Sequence, residues 1–506
     1  MNPGRLARTL SRLHPLQIGM RAPHAIAARA LRDVPGGLAP RRRSSWPGAP
    51  DELRRLADAE RDRAAGRLAR LPAASALRAY EACYGLELGA DPRAPHGDWT
   101  SPTAVEAFPA SVRARRIAVA ARCGREGLES ELARAARAIA LHLELHLLGN
   151  HLLENGFGLA CAGACAEGLE ADLWWSAGTR ILAWQLPQQF LADGGHVERS
   201  ASYHAALTAA LLEAIEIADA SGRGAPATWR DTASRAIGWL CAVRTPDGAY
   251  PLFNDAALDA APAVDDVLRF ARTLRIAPRV AGRRAAAGDE RLTHLESTGW
   301  VRLDTAGASA VVDAGPDAGG WQPGHAHADG LTFELWVGGA RAIVDFGVAT
   351  YEAGDARDAT RATRSHNTAE LEGRNSCEVW GAFRVGRRGR GRVVDAGAGD
   401  GAARVELEHD GYSWLPGAPH HVRSMNLRRG SLAVIDGIPG TERPWVSRLR
   451  VDAAVAGQLR VSADDGSVSR KDGVWYPRQG DARPAAVYEQ AAAAGGGRRV
   501  RWTVTW

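Results

Sequence analysis

The chain has 506 residues, 45% hydrophobic and 24% charged, a balance that excludes a disordered or fibrous protein and exceeds what a single core normally holds, so two or three domains are expected. The net charge of +5 and pI near 9.0 suit a polyanionic partner, but the basic residues run along the whole chain and form no block, so no nucleic-acid partner is indicated. Lys471 is the only lysine; with the many Ala and Gly residues this reads as codon bias, although guanidinium forks do suit carboxylates and sulfates.

The first 32 residues are Arg-rich and lack the apolar run of a secretory signal, and no stretch reaches the length of a membrane span. As written the chain is expected to be cytoplasmic, or periplasmic if its true start differs. Residues 1–50 read as a short amphipathic helix followed by a Pro/Gly/Arg-rich linker. From residue 51 to 290, Ala/Leu/Arg-rich segments with apolar residues near a 3.6 period alternate with breakers such as GREG, LPQQFLADGG, SGRGAP and TPDGAYP, which predicts a series of helical hairpins closing as a toroid or stacking as a solenoid. From 291 to 506 short β-branched and aromatic runs alternate with Gly-rich turns, predicting an antiparallel β-sandwich with a hairpin turn at Gly338-Gly339. Cys83, Cys123, Cys161, Cys165, Cys241 and Cys377 are too sparse for a disulfide framework and read as small core residues. Cys161 and Cys165 share a helical face, but nothing nearby completes a zinc motif. Oligomeric state stays open.

Polar side chains crowd into three places. In HLELHLLGNHLLENGF, residues 142–157, a continuous helix would put His142, His146 and Asn150 on one stripe and His151 and Glu154 on the next. Such polarity inside an apolar helix costs desolvation energy unless it meets water or a ligand. His142 and His146 read as satisfied helix histidines, and Asn150, His151 and Glu154, ahead of an expected helix break at Gly156, as functional. In DGGHVERSASYH, residues 193–204, Ser200 is a candidate N-cap and Tyr203 falls in the first helical turn, where a phenol either packs its ring or projects into a cleft. In WQPGHAHADGLTFELWVGGARAIVDFG, residues 321–347, His325 and His327 share one side of an extended segment, as a metal site, a proton-transfer pair or two exposed loop histidines would. Asp345 and the His366 of RSHNT extend this pattern to a structural zinc set.

Taken in order, GNHLLENGF, DGGHVERSASYH, GHAHADGLTFELWVGGARAIVDFG and RSHNTAELEGRNSCEVWGAFRVGRR resemble the heparinase II/III family of polysaccharide lyases, from about residue 50 to the end. That resemblance implies an incomplete (α/α) toroid followed by an antiparallel β-sandwich, with an acidic polysaccharide lying between them. It implies that Tyr203 and His325 are catalytic, that Asn150 or the adjacent His151 neutralises the substrate carboxylate with Glu154 in support, and that His327, Asp345 and His366 hold a structural zinc. No organic cofactor is implied. Arg199, Arg361 and Arg364 are the nearest candidates to grip carboxylate or sulfate. Two rival readings are a catalytically silent carbohydrate-binding scaffold and a glycoside hydrolase, which would need two carboxylates from a set such as Asp193, Glu198, Asp329 and Glu334.

Overall fold

The computed structural model describes residues 3–30, 40–42, 46–71, 78, 106–464, 468–492 and 499–506; Cys83 lies outside them. Helices come first. After three short ones, α1 (Pro3–Leu10), α2 (Pro15–Gly19) and α3 (Arg21–Ala30), the helical layer comprises α4 (Asp51–Arg70), α5 (Ala107–Arg122), α6 (Glu129–Leu141), α7 (Gly149–Cys165), α8 (Leu169–Gln189), α9 (Ala201–Ala220), α10 (Ala227–Val243) and α11 (Val264–Thr273). Their alanines and glycines let backbones approach closely. A Cβ on Gly178 would lie 2.4 Å from the Ala160 nitrogen, and one on Gly163 would lie 2.4 Å from that of Trp175, so α7 and α8 meet almost backbone to backbone. Gly156 belongs to this contact: it sits inside α7, where a Cβ would meet Leu182 at 2.9 Å. The expected break there is therefore corrected; the glycine serves packing.

The real interruption comes earlier. The chain leaves helix at His142 and re-enters it at Gly149, so His142, His146 and Asn150 do not share a stripe. Buried Asn155 explains the break: its Oδ1 accepts the Glu144 backbone N–H at 3.0 Å, while its Nδ2 donates to the Glu144 carboxylate at 3.0 Å, replacing bonds that a continuous helix would have made for itself.

Strands follow. A ten-stranded antiparallel sheet runs in the order 469–478, 481–492, 445–452, 340–343, 333–337, 308–313, 300–305, 290–295 and 283–287, with 369–371 pairing beside 445–452. Gly338 and Gly339, at φ 57° and 87°, make the expected hairpin turn between Phe333–Val337 and Ala340–Ile343. A second sheet of six strands, 391–399, 402–409, 421–428, 431–437, 499–505 and 460–463, packs on one face of the first through Val301, Leu303, Phe333, Leu407, Val434 and Trp502. The other face of the ten-stranded sheet belongs to the helical core, where Trp300 meets Trp239 at 5.1 Å and Phe253 at 5.0 Å between ring centroids. Three layers result: helices, large sheet, small sheet. Cys161, Cys165 and Cys377 are buried free thiols, and Cys123 and Cys241 are partly buried ones. No described helix is long and apolar enough to cross a membrane.

Candidate active site

Tyr203 comes from the first turn of α9, and His325 from the irregular segment between Asp313 and Phe333 in the large sheet. Their rings stack with centroids 3.9 Å apart and planes 29° from parallel. A phenol from the helical layer and an imidazole from the sandwich thus meet across the seam, and both keep some solvent exposure. The Tyr203 pKa is pushed well above that of a free phenol by burial, reinforced by the Tyr351 phenol and the Asp255 charge. At rest its hydroxyl is an O–H donor.

The group that organises this site was missed by sequence reasoning. Asp255 accepts from His325 Nδ1 at 2.9 Å, from His327 Nε2 at 2.8 Å, and from both Arg357 terminal nitrogens at 2.5 and 2.7 Å. Burial alone would raise its pKa, but Arg357 and the two imidazoles hold the carboxyl well below the usual range. An ionised Asp255 requires N–H at His325 Nδ1 and at His327 Nε2. Neighbouring Asn254, at φ 55°, accepts the His327 backbone N–H at 3.0 Å and donates to the Arg199 carbonyl at 3.2 Å. The Asn254-Asp255 pair therefore ties both histidines to the helical layer.

Glu198 supplies the second tie. Its Oε1 accepts the Asn150 backbone N–H at 2.8 Å and its Oε2 lies 3.2 Å from His325 Nε2. Asn150 lies in the first turn of α7, which starts at Gly149 (φ 57°) after Leu148 (φ 56°). A Cβ on Gly149 would lie 2.1 Å from Gln322 Nε2 and 2.6 Å from Glu198 Oε1, so only glycine lets α7 begin here. The Asn150 amide makes no hydrogen bond among the described residues. His151 turns elsewhere: its Nδ1 is 2.9 Å from the Glu144 carboxylate and its ring packs on Phe108 at 4.6 Å.

Three of the expected substrate contacts are corrected. Glu154 faces the interior between helices, 2.7 Å from Arg115 Nε, in a buried ion network with Glu213, Arg116 and Glu60. Arg199 turns its guanidinium onto the Thr298 and Ser297 carbonyls and so clamps the sandwich to the helices. Arg361 gives four of its five N–H donors to the carbonyls of Ala326, Gly381, Ala382 and Arg384 at 2.9–3.3 Å. Both guanidinium groups are buried and turned onto backbone carbonyls, so neither is presented to a polymer. Arg364 stands exposed on the surface.

The metal-ligating set is corrected in one member. The groups that converge within 4.8 Å are His327, Asp329 and His366. Asp345 lies outside them, accepting from His366 Nδ1 at 3.0 Å and from Thr332 at 2.9 Å. The fit to a cation rests on two buried atoms without hydrogen-bond partners, His327 Nδ1 and His366 Nε2. Each ring's other nitrogen is anchored by a carboxylate, the arrangement that orients metal-ligating imidazoles. Burial drives His327 down to about 3 despite Asp255, so its Nδ1 presents a lone pair. His366 is raised by Asp345 against the effect of burial, and a cation at Nε2 would take that proton's place.

His204, beside Tyr203, is lowered to about 4 by burial, its Nε2 held 3.0 Å from the Ala236 carbonyl. The unfolded chain then takes up a proton before the folded one does. The stability this residue contributes is complete above the ordinary histidine value of 6.5 and is lost as pH falls toward 4. His204→Gln, less stable than wild type at neutral pH, should close that gap as pH falls; thermal melts of both proteins across this range check it.

Residues 131–276 match the family model described as Heparinase II/III N-terminus, and residues 287–503 match Heparinase II/III-like, C-terminal. The chain belongs to the heparinase II/III family. Among family members it is similar to the heparin-sulfate lyase of Bacteroides stercoris, 32% identical over 244 residues, which are 45% of this chain and 36% of that protein. The heparin-sulfate lyase of Pedobacter heparinus is 27% identical over 251 residues, again 45% and 36%. The match thus spans little more than a third of these relatives' length. A heparinase III crystal structure superposes with a TM-score of 0.65 at 15% identity, covering 99% of this chain and 91% of that one. The heparan sulfate lyase structure from Pedobacter heparinus gives 0.55 at 18% identity, covering 97% and 88%. The helical layer and sandwich are the toroid and β-sandwich of the heparinase III fold.

Proposed function

We propose that this protein is a polysaccharide lyase that cleaves a uronic-acid-containing polymer by β-elimination and leaves a 4,5-unsaturated uronate end. The observation that carries this reading is the Tyr203–His325 stack, with Asn150 joined to the same histidine through Glu198. Removing the C5 proton of a uronate builds charge beside an existing carboxylate, so that carboxylate is neutralised first. The unpaired amide of Asn150 suits the task; a preorganised donor of this kind is worth about 3 kcal/mol in a dry site. The protonated Tyr203 phenol is the acid that serves O4 as the C4–O4 bond breaks, and where proton and leaving group lie on one ring face the ionised form of the same oxygen takes the C5 proton and then passes it to O4. For the opposite epimer His325 Nε2 takes the C5 proton, with Asp255 fixing its tautomer and Glu198 bearing on its other side. Zinc is the cation we propose for His327, Asp329 and His366; it organises the loop that carries His325 and takes no part in bond breaking.

The hydrolase reading is less well supported, because two of its four candidate carboxylates are committed elsewhere. Asp193 accepts the Thr298 N–H at 2.7 Å and hydroxyl at 2.6 Å, and Glu334 pairs with Arg341 at 2.5 Å. The deciding experiment is an ultraviolet assay on a panel of uronate polysaccharides, starting with the heparan type that the relatives' names indicate. Unsaturated product is expected. New reducing ends without ultraviolet absorbance from every polymer that is cut would replace the lyase by a hydrolase. For the metal, added zinc should raise the melting temperature by several degrees and a chelator should reverse this; His366→Ala should lose both responses together with the bound zinc seen by elemental analysis.

A further inference from the structure

Residues ahead of the helical layer lie across the seam beside the candidate site. Arg8 forks onto the Glu378 carboxylate, with Nε at 2.9 Å and Nη2 at 2.6 Å, and this contact brings that carboxyl down to about 2. Trp380 Nε1 donates to Thr9 Oγ1 at 3.1 Å. Both anchors are on the sandwich side. Gln17, nearly buried, bridges the two sides: its Nε2 donates to the Leu147 carbonyl at 2.9 Å and lies 3.3 Å from Gln322 Oε1. On the helical side the His24 ring stacks on His146 at 3.7 Å, and on the sheet side His14 meets Trp321 edge-on at 6.2 Å.

These anchor points flank the reactive residues. Leu147 shortly precedes Asn150 and Gln322 shortly precedes His325, and Gln322 itself abuts Gly149 with no room for a Cβ. At this end the two walls touch, and α1 to α3 lie over the contact. A polymer cut internally must leave the site in both directions, which a transverse strap bonded to both walls forbids. We infer that Pro3–Ala30 closes one end of the polymer groove, so that this protein takes an acidic polysaccharide by its chain end and releases short unsaturated fragments.

This inference rests on the lyase reading, and the test separates the two. A long uronate polymer that the enzyme cleaves is digested to a few per cent and sized by gel filtration, with wild type beside the Arg8→Ala/Gln17→Ala double variant. Wild type should release short unsaturated fragments from the first time point while the polymer peak keeps its position, and the double variant should move that peak to intermediate sizes. Intermediate sizes from wild type at early times would overturn the closed end and leave the lyase standing. No unsaturated product from any polymer would remove the lyase reading and the chain-end action with it. In that case hydrogen exchange still judges the strap: amides of residues 143–150 and 378–388 should exchange at least tenfold faster in the double variant, and equal rates would refute the closure.

Discussion

Tyr203→Phe is expected to lower kcat on a uronate polymer by a factor of about 10³ or more, in line with loss of the group proposed as acid and, for one epimer, as base, with little change in KM or melting temperature. The reasoning is local. Phenylalanine keeps the ring that stacks on His325 at 3.9 Å and removes only the hydroxyl, which lies near the Tyr351 phenol. Packing survives and proton transfer does not. Initial rates from ultraviolet absorbance, read beside thermal melts, give the answer. A variant that folds normally and retains more than a tenth of wild-type kcat would take Tyr203 out of the chemistry.

Asp255→Asn should be the most damaging isosteric change in the protein. The native carboxylate faces His325, His327 and the Arg357 fork, all within 2.9 Å, and all four side chains are nearly or fully buried. An amide can accept at one atom only and turns donors toward groups that are donors already. Leaving Arg357 uncompensated in the interior costs about 3–5 kcal/mol, and the tautomers of both imidazoles are released at once. Denaturant unfolding should register the loss of stability. Activity should fall even well below the melting temperature, because His325 loses the partner that fixes its proton. Arg357→Met beside it separates the two effects: it removes the buried cation while leaving Asp255 its imidazoles, so it should harm stability more than turnover.

Much of the architecture was legible in residue pattern, because the change from a 3.6 period to short β-branched runs near residue 290 reflects which faces are buried. The Gly338-Gly339 turn was legible for a similar reason, since few other residues accept its backbone angles. The meeting of Tyr203 and His325 was expected only through the family resemblance that the motifs carry; spacing alone left Tyr203 as a packing ring or a cleft phenol. Asp255 was not, because it sits in an aperiodic stretch and its partners are 70 to 102 residues away; spacing says nothing about such contacts. The departures at Glu154, Arg199 and Arg361 share one cause: charged residues near a motif look available until their buried partners are known. The choice of Asp329 over Asp345 as third member of the cluster turns on which carboxylate faces the open imidazole nitrogens and which faces an N–H, a matter of side-chain direction. The interruption between His142 and Gly149 depends on Asn155, a single interior side chain.

The large sheet has no face of its own, since Trp300 and Trp336 serve the helices while Val301, Leu303 and Phe333 serve the smaller sheet. Severing the chain near residue 290 would strip an apolar wall from whichever half was kept, so neither half should survive alone as a soluble monomer. Calorimetry of the intact protein should accordingly record a single cooperative transition, with helical and β signals lost at the same temperature.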